Sequence, residues 1–253
     1  MKNTYQLQIP KELEQYRSIL EESVKPYVKV SGTQAETTLF ESKFGGYPYL
    51  PIDQEHPKDS KGQPMMLLAQ LNLEEIPNIE HMPQHGMLQF FISAEEDLFG
   101  ADFDHPTVQK DFRIIYHSTI IEDLNKVIAA KLKFELAYQP VTPRDYRFEM
   151  IFSDNIDWEE IVDEENNTEL GELYDDLCKD QGHKIGGYPF FTQTDPREWE
   201  EKYQQHDILL LQIDTDDSLN IMWGDSGVAN FFIRKEDLLN LDFSNVIYNW
   251  DCY

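Results

Sequence analysis

Short apolar runs bounded by turn residues recur along the chain, and they predict a fold in which β-strands dominate. Met65–Leu71, Met87–Ile92 and Phe112–Tyr116 each have the length and the boundaries of a strand. The second half has three more such runs, Leu209–Ile213, Gly227–Ile233 and Val246–Tyr248. Because short connections containing Pro and Gly separate consecutive strands, antiparallel meanders are expected rather than strand–helix–strand units.

Apolar residues at helical spacing mark two further segments. After Pro10, a stripe from Leu13 to Val24 predicts a helix over about 11–25, followed by a loop that reaches the first Gly-Gly pair. Between Trp158 and Leu177 the same spacing occurs in an acidic stretch, which favours a packed helical segment with a solvated acidic face. One more strand is predicted over 131–139.

The hydrophobic pattern of the first half returns in the second. The sequence KFGGYP at 43–48 recurs as KIGGYP at 184–189, an offset of 141 residues, and the later strands recur in order at offsets of 140 to 142. Several ordered matches at one offset predict an internal duplication. We therefore predict an α+β fold with two pseudo-symmetric, mainly antiparallel sheets and flanking helices that share one core. The single domain, 1–253, divides into a first repeat (1–117), an acidic, partly helical connecting segment (118–183) and a second repeat (184–253).

The repeated Gly-Gly-Tyr-Pro sequence has the composition of a rigid turn that feeds a strand. Paired glycines adopt positive φ without strain, and proline restricts its own φ and the residue before it. The structural turn residues are Gly45, Gly46, Pro48, Gly186, Gly187 and Pro189. A second interpretation is a loop whose bare backbone admits a ligand, with Lys43 and Lys184 supplying charge. No phosphate-binding glycine pattern follows either pair.

The formal net charge of −27 is the most unusual bulk property. A polyanion repels nucleic-acid phosphates and anionic lipid surfaces, so neither is an expected partner. Between Asp145 and Asp180, 14 acidic residues stand against two basic ones. This concentration fits either general solubility or attraction of a basic protein partner.

Three short motifs suggest chemistry, and each has a simpler explanation. The stretch Asp214–Asn220 spaces its polar residues like a calcium loop, but Leu219 occupies the position that needs glycine, so a hairpin turn is the alternative. Gly224–Gly227 resembles a serine protease nucleophile segment, without the companion motifs of that class. His81 and His85 have metal-pair spacing, but Pro83 separates them. We predict no catalytic residue, no metal site and no cofactor.

Cys178 and Cys252 lie far apart, outside any redox or metal motif, and in settings that raise a thiol pKa. They suit reduced thiols in a cytoplasm. The opening residues contain no apolar run of the signal-peptide kind, and no segment approaches the roughly 20 apolar residues of a membrane span. A cytoplasmic location is therefore expected, with no membrane partner.

The two Gly-Gly-Tyr-Pro turns, the strand sequences LLAQL and GMLQFFI, and the C-terminal run WGDSGVANFFI together resemble the YwqG-like family of bacterial proteins. The resemblance extends from about Phe40 to Tyr253. It implies a cytosolic, internally duplicated protein from a family without an assigned activity. No catalytic residue carries over from such a family.

Two hypotheses of function follow, and the sequence leaves both open. The first is a non-enzymatic binding protein, of the immunity or antitoxin kind, that meets a basic partner at the acidic segment or at a groove between the halves. The second is a small-molecule-binding protein or an enzyme with its site in the cleft between the repeats. Candidate ligand-binding residues for that cleft are Gln70, Gln212, Trp223 and Asp225. Carbohydrate handling is a weaker third possibility, and the oligomeric state is not indicated.

Overall fold

The computed structural model describes residues 7–51, 54–94, 98–120, 127–152, 156–163, 166–178, 180–219 and 221–253. In these ranges the strands are β1 (Lys25–Thr37), β2 (Lys43–Phe44), β3 (Met66–Asn72), β4 (Met87–Ile92), β5 (Phe112–His117), β6 (Val127–Gln139), β7 (Ile161–Asp163), β8 (Thr168–Glu169), β9 (His183–Gly186), β10 (Ile208–Asp214), β11 (Val228–Ile233) and β12 (Val246–Asp251). The α-helices are α1 (Arg17–Ser23), α2 (Phe148–Phe152), α3 (Leu170–Cys178), α4 (Glu201–Gln204) and α5 (Lys235–Leu239). Short 3-10 helices cover Lys11–Tyr16, Leu73–Glu75 and Asp217–Leu219.

Ten of the described strands form one sheet in the order β12-β11-β10-β9-β1-β6-β2-β3-β4-β5, and β7 pairs with β8 in a small hairpin. Every pairing among the described strands is antiparallel. The predicted α+β class with mainly antiparallel strands is confirmed. Where two sheets were expected, however, β1 and β6 join the halves into one continuous sheet.

The sheet has two arms of four strands each. The first arm is β2–β5, the second arm is β9–β12, and each runs outward from the central pair in chain order. The hydrogen-bond ladders of the two arms have the same irregularity at the same place. The register between β3 and β4 shifts between Leu67 and Ala69, and the register between β10 and β11 shifts between Leu209 and Leu211. Such matches are what a duplication would leave behind, although the duplication itself stays a prediction.

The two central strands differ most from expectation. Residues 25–37, predicted as the end of a helix and a loop, form a 13-residue strand after a helix that ends at Ser23. Strand β1 pairs with β6 along its full length and also with β9 of the second arm. Only a few of its side chains are buried, and it contains Pro26 and Gly32, so its own apolar pattern is weak. The long-range hydrogen-bond ladder therefore determines its conformation.

The two arms share one hydrophobic core. Phe90 of the first arm meets Phe231 of the second with ring centroids 4.9 Å apart, and Phe231 stacks on Tyr248 at 4.6 Å. All three side chains have no exposed surface. Phe112, at the outer strand of the first arm, also contacts Tyr248 at 5.2 Å. The outer strands of the two arms thus face each other across the core, as a shared core requires.

The segment before β5 connects the two outer strands by hydrogen bonds. The Gln109 side chain donates to the carbonyl oxygen of Phe243 at 2.6 Å and accepts from the amide of Ile114 at 2.8 Å. The amide of Tyr248, on the edge strand β12, donates to the carbonyl oxygen of Pro106 at 3.1 Å. Backbone groups of both edge strands thereby gain partners, which limits pairing with other chains.

A second, smaller core lies under the acidic segment. Phe148, Phe152, Trp158 and Tyr174 form one aromatic cluster with centroid separations from 4.7 to 5.9 Å. These rings pack with Leu13, Leu20 and Val141 in the same cluster. The helical segment predicted between Trp158 and Leu177 is confirmed over α3. In its first half the prediction was wrong, because residues 161–163 form a strand of the small hairpin. None of the described helices has the length and apolar character needed to cross a bilayer.

Candidate functional site

The first Gly-Gly-Tyr-Pro turn is held by buried side-chain amides. The backbone amide of Tyr49 donates to Gln70 Oε1 at 2.7 Å, and Gln89 Nε2 donates to the carbonyl oxygen of Tyr49 at 2.6 Å. Gln70 Nε2 donates in turn to the carbonyl oxygens of Leu39 and Glu41. Two glutamine side chains therefore supply the hydrogen bonds that a neighbouring strand would otherwise give.

The second turn repeats these contacts residue for residue. The amide of Phe190 donates to Gln212 Oε1 at 2.7 Å, and Asn230 Nδ2 donates to the carbonyl oxygen of Phe190 at 2.8 Å. Gln212 Nε2 donates to the carbonyl oxygens of Asp180 and Gly182. Gln212 and Asn230 have no exposed surface, as is also true of their counterparts in the first arm.

The turns differ from their predicted form in one respect. Each follows a short strand, β2 or β9, rather than feeding one, and the residues directly after Pro48 and Pro189 belong to no strand. The predicted glycine conformation is confirmed, with φ between 66° and 75° at the four glycines. At Gly187 a Cβ would lie 2.8 Å from Tyr27 Cβ, so glycine is needed there for close packing as well.

The lysine before each glycine pair is buried. Lys43 Nζ donates to the carbonyl oxygen of Thr38 at 2.8 Å, and Lys184 Nζ donates to the carbonyl oxygen of Tyr188 at 2.8 Å. Desolvation lowers the pKa of Lys43 to about 8 and the pKa of Lys184 to about 7. Both side-chain nitrogens thus point at backbone oxygens inside the protein: Lys184 contacts its own turn at Tyr188, and Lys43 contacts the segment before β2 at Thr38.

These pKa shifts predict a pH dependence of stability. Because the folded-state pKa of Lys184 lies below its ordinary value of 10.5, the unfolded state binds more protons between about pH 7 and 10.5. The free energy of unfolding should therefore rise from pH 7.0 to 8.5, with Lys184 contributing up to about 1.4 kcal/mol per pH unit. Urea unfolding at half-unit intervals measures the slope. Lys184→Met should flatten it, whereas the exposed Lys29→Met should keep it; equal slopes in all three proteins would contradict the shift.

The surroundings of Trp223 and Asp225 differ from those of the two glutamines. Trp223 is buried against Phe99 and Trp250, with centroids 5.6 and 6.1 Å away. Asp225 is exposed in the turn that follows. The four candidate ligand-binding residues therefore do not converge on one cleft: the glutamines support the turns, Trp223 lines a groove and Asp225 faces solvent.

Among the described residues, two of the grooves between the arms each contain one of the glycine turns. The first groove has a volume of about 220 Å³. It is formed by the glycine turn after β2, the start of β3, the end of β4 and the connection between β10 and β11. Its lining residues are mostly apolar: Phe44, Gly45, Met66, Leu67, Leu68, Ile92, Phe99, Leu219, Ile221, Met222 and Trp223. The second groove, of about 270 Å³, is formed by the β9 turn, the start of β10 and the β3–β4 connection. It carries five ionisable side chains, Lys25, Glu80, His81, Asp207 and Lys235.

A buried ion-pair network was not found by sequence reasoning. Arg197 has no exposed surface and donates to both carboxylate oxygens of Asp195, to Asp145 Oδ2 at 3.1 Å and to the carbonyl oxygen of His206. Burial alone would raise the pKa of Asp145, but hydrogen bonds from Arg147 and the nearby charge of Arg197 hold it below its usual value. The signal was present as a repeated Asp-x-Arg pattern, at 145–147 and 195–197.

The motifs that suggested chemistry have structural explanations in the described residues. Asp216 Oδ1 accepts hydrogen bonds from the amide and hydroxyl of Ser218, as in an ordinary Asx turn, while Asn220 lies outside the described residues. Within the described ranges no three His, Cys, Asp or Glu side chains gather as a metal site would need. Burial raises the pKa of Cys178, as predicted.

The acidic segment presents its carboxylates to solvent on a packed base. We define the acidic surface as the exposed carboxylates of this segment: Glu149, Asp157, Glu159, Glu160, Glu169, Glu172, Asp175 and Asp176. Among the described residues only Asp175 of this set forms an ion pair, with Arg144 at 3.4 Å. Met150 and Ile161 are also exposed there, by 72% and 47%. The surface therefore combines unpaired negative charge with accessible apolar side chains.

Comparison with known proteins adds a family but no activity. A search of curated proteins finds no relative with significant similarity. Residues 42–252, which include both turns, both arms and the first groove, match the profile of a family described as a domain of unknown function, DUF1963. Since this match covers most of the 253 residues, the chain belongs to the DUF1963 family.

Proposed function

We propose that the protein is a non-enzymatic binding protein that engages a positively charged protein through the acidic surface. The observation that supports this most directly is the exposure of eight carboxylates on one segment, with one ion pair among them in the described residues. Opposite charge on a partner speeds encounter and favours the correct orientation. An immunity- or antitoxin-like role toward a basic protein is one form of this function.

The packing beneath the acidic surface supports the proposal. Tyr174 and Cys178 of α3 are buried while Glu172, Asp175 and Asp176 of the same helix are exposed. The Tyr174 hydroxyl donates to the carbonyl oxygen of Val141 at 2.6 Å, which ties the helix to the chain that follows β6. Because the buried side of the helix is packed, the backbone positions that carry these carboxylates are set before a partner binds.

The proposal includes a narrower group within the family and a cytoplasmic location. We place the chain in the YwqG-like group within its family, on the motifs of its turns and strands. Two free cysteines without a disulfide support a cytoplasmic location. The charge of −27 argues against nucleic acid and anionic membranes as partners.

A charge-matched pair of variants tests the proposal. In the first, four carboxylates of the acidic surface are neutralised: Glu169→Gln, Glu172→Gln, Asp175→Asn and Asp176→Asn. In the control, four exposed carboxylates elsewhere are neutralised: Glu55→Gln, Asp104→Asn, Glu198→Gln and Glu201→Gln. Tagged wild type, variant and control are each used to capture proteins from native lysate at low and high salt, and captured proteins are identified by mass spectrometry.

We expect wild type and control to retain the same basic protein at low salt and to release it at high salt. The acidic-surface variant should capture about tenfold less of this protein than wild type, since several charge pairs contribute together. Equal capture by all three proteins would show that overall charge, rather than this surface, causes retention. Failure of wild type to retain any basic protein at low salt would overturn the proposal.

A further inference from the structure

The first groove and the second groove are equivalent positions in the two arms, but only in the second does a side chain from the opposite arm cover the first glycine of the turn. At Gly186 a Cβ would lie 2.5 Å from Cδ1 of Ile79, which reaches across from the first arm. At Gly45, the matching glycine 141 residues earlier, a Cβ would meet no atom of the described chain within 4 Å. The first groove therefore keeps open the space that a side chain occupies in its counterpart.

The lining of the first groove also includes a residue whose side-chain hydrogen-bond donor has no partner among the described residues. Trp223 lines the groove with a side chain that is 2% exposed, and its Nε1 is buried without a hydrogen-bond partner among the described residues. The neighbouring Trp250 shows the usual arrangement, since its Nε1 donates to the carbonyl oxygen of Leu98 at 2.9 Å. A buried N–H without a partner is costly, and most such groups in proteins are satisfied.

We propose that the first groove binds a small, largely apolar molecule that carries one hydrogen-bond acceptor, which pairs with Trp223 Nε1. Apolar lining with a single polar group is the usual composition of a small-ligand site, and the volume suits a ring with a short substituent. Met66 and Met222 line the groove and are 44% and 51% exposed. Their flexible side chains can turn aside and bring the buried donor within reach of a ligand. This site is separate from the acidic surface and does not depend on the function proposed for it.

Two nearly isosteric probes test the groove. Acetophenone has an aromatic ring and one carbonyl acceptor, whereas α-methylstyrene replaces that carbonyl by a carbon–carbon double bond. Each is titrated, up to its solubility limit, into ¹⁵N-labelled protein while the indole N–H signals of the four tryptophans are followed. The Trp223 signal is identified by its absence in Trp223→Phe.

Acetophenone should move the Trp223 indole proton downfield and bind about 2- to 10-fold more tightly than α-methylstyrene, the range that one net hydrogen bond contributes. In Trp223→Phe, where the ring remains but the donor is lost, the two probes should bind equally well. The melting temperature of Trp223→Phe establishes that it folds.

A second pair of variants tests the position without touching Trp223. Gly45→Ala places a methyl group in the open space of the groove and should weaken both probes about fivefold or more, because it removes volume from the site. Gly62→Ala is the control: this glycine also has positive φ and open surroundings, but it lies outside the groove. Both substitutions carry similar backbone strain, so their melting temperatures should fall by similar amounts while only Gly45→Ala affects binding.

Three results would overturn the proposal. The first is a Trp223 signal that stays in place while both probes shift other tryptophans. The second is equal affinity of wild type for the two probes. The third is a Trp223 signal that shifts with protein concentration alone, which would mean that a second copy of the chain covers the groove.

Discussion

Replacing Arg197 by alanine is expected to lower the free energy of unfolding by about 3–5 kcal/mol, because it leaves two buried carboxylates without their common partner. Arg197 is fully buried and is 2.7 Å from Asp195 Oδ2 and 3.1 Å from Asp145 Oδ2. Its guanidinium also stacks on the Phe232 ring at 3.9 Å. Urea unfolding at pH 7, with wild type measured in parallel, gives the difference.

The control for this experiment is Arg234→Ala. Arg234 also pairs with carboxylates, Glu236 and Asp237, but its side chain is 29% exposed and water screens the pair. We expect a far smaller loss of stability there. Equal losses for the two substitutions would mean that water reaches the network around Arg197.

Replacing Phe231 by alanine is expected to cost about 3–5 kcal/mol, as for other fully buried aromatic side chains. Phe231 lies between Phe90 and Tyr248, so its removal opens a cavity at the contact between the two arms. The exposed Phe103→Ala is the matched control and should change stability little, because its ring is 52% exposed. Thermal and urea unfolding of all three proteins measure the effect.

A double-mutant cycle makes the same prediction more specific. Phe90→Leu and Phe231→Leu, alone and together, should show a coupling of about 0.5–1.5 kcal/mol, the range for an aromatic pair in contact. A coupling near zero, or two separate unfolding transitions, would contradict a core shared by the arms.

The three outer strands of each arm could be predicted from sequence, most clearly where the side chains are buried on both faces. Strands β4 and β11 are buried at every position, and such continuous apolar runs between turn residues are a strong local signal. The central strand β1 could not be predicted in this way. Its partners lie about 100 residues and more away in the chain, and a ladder between distant segments leaves little trace in local periodicity.

The candidate site was predicted only in part, for a similar reason. Gln70 and Gln212 are predicted as ligand-binding residues of the cleft, but a buried side-chain amide serves equally well as a ligand contact or as structural support. Sequence alone does not distinguish these roles, and the hydrogen bonds to Tyr49 and Phe190 give them a supporting one. Trp223 is one of the predicted ligand-binding residues, and it lines the first groove. The space beside Gly45 depends on the tertiary arrangement and has no sequence signal.

The placement of β1 also constrains the order in which the molecule can assemble. Tyr27 pairs with Ala137 on one side and Gly186 on the other, so this strand gains its second neighbour only after more than 150 further residues have been synthesised. Contacts between such distant segments require closure of large loops, which slows folding. On the ribosome, β1 therefore keeps one unpaired edge until the second arm emerges, and an unpaired strand edge favours aggregation of a nascent chain.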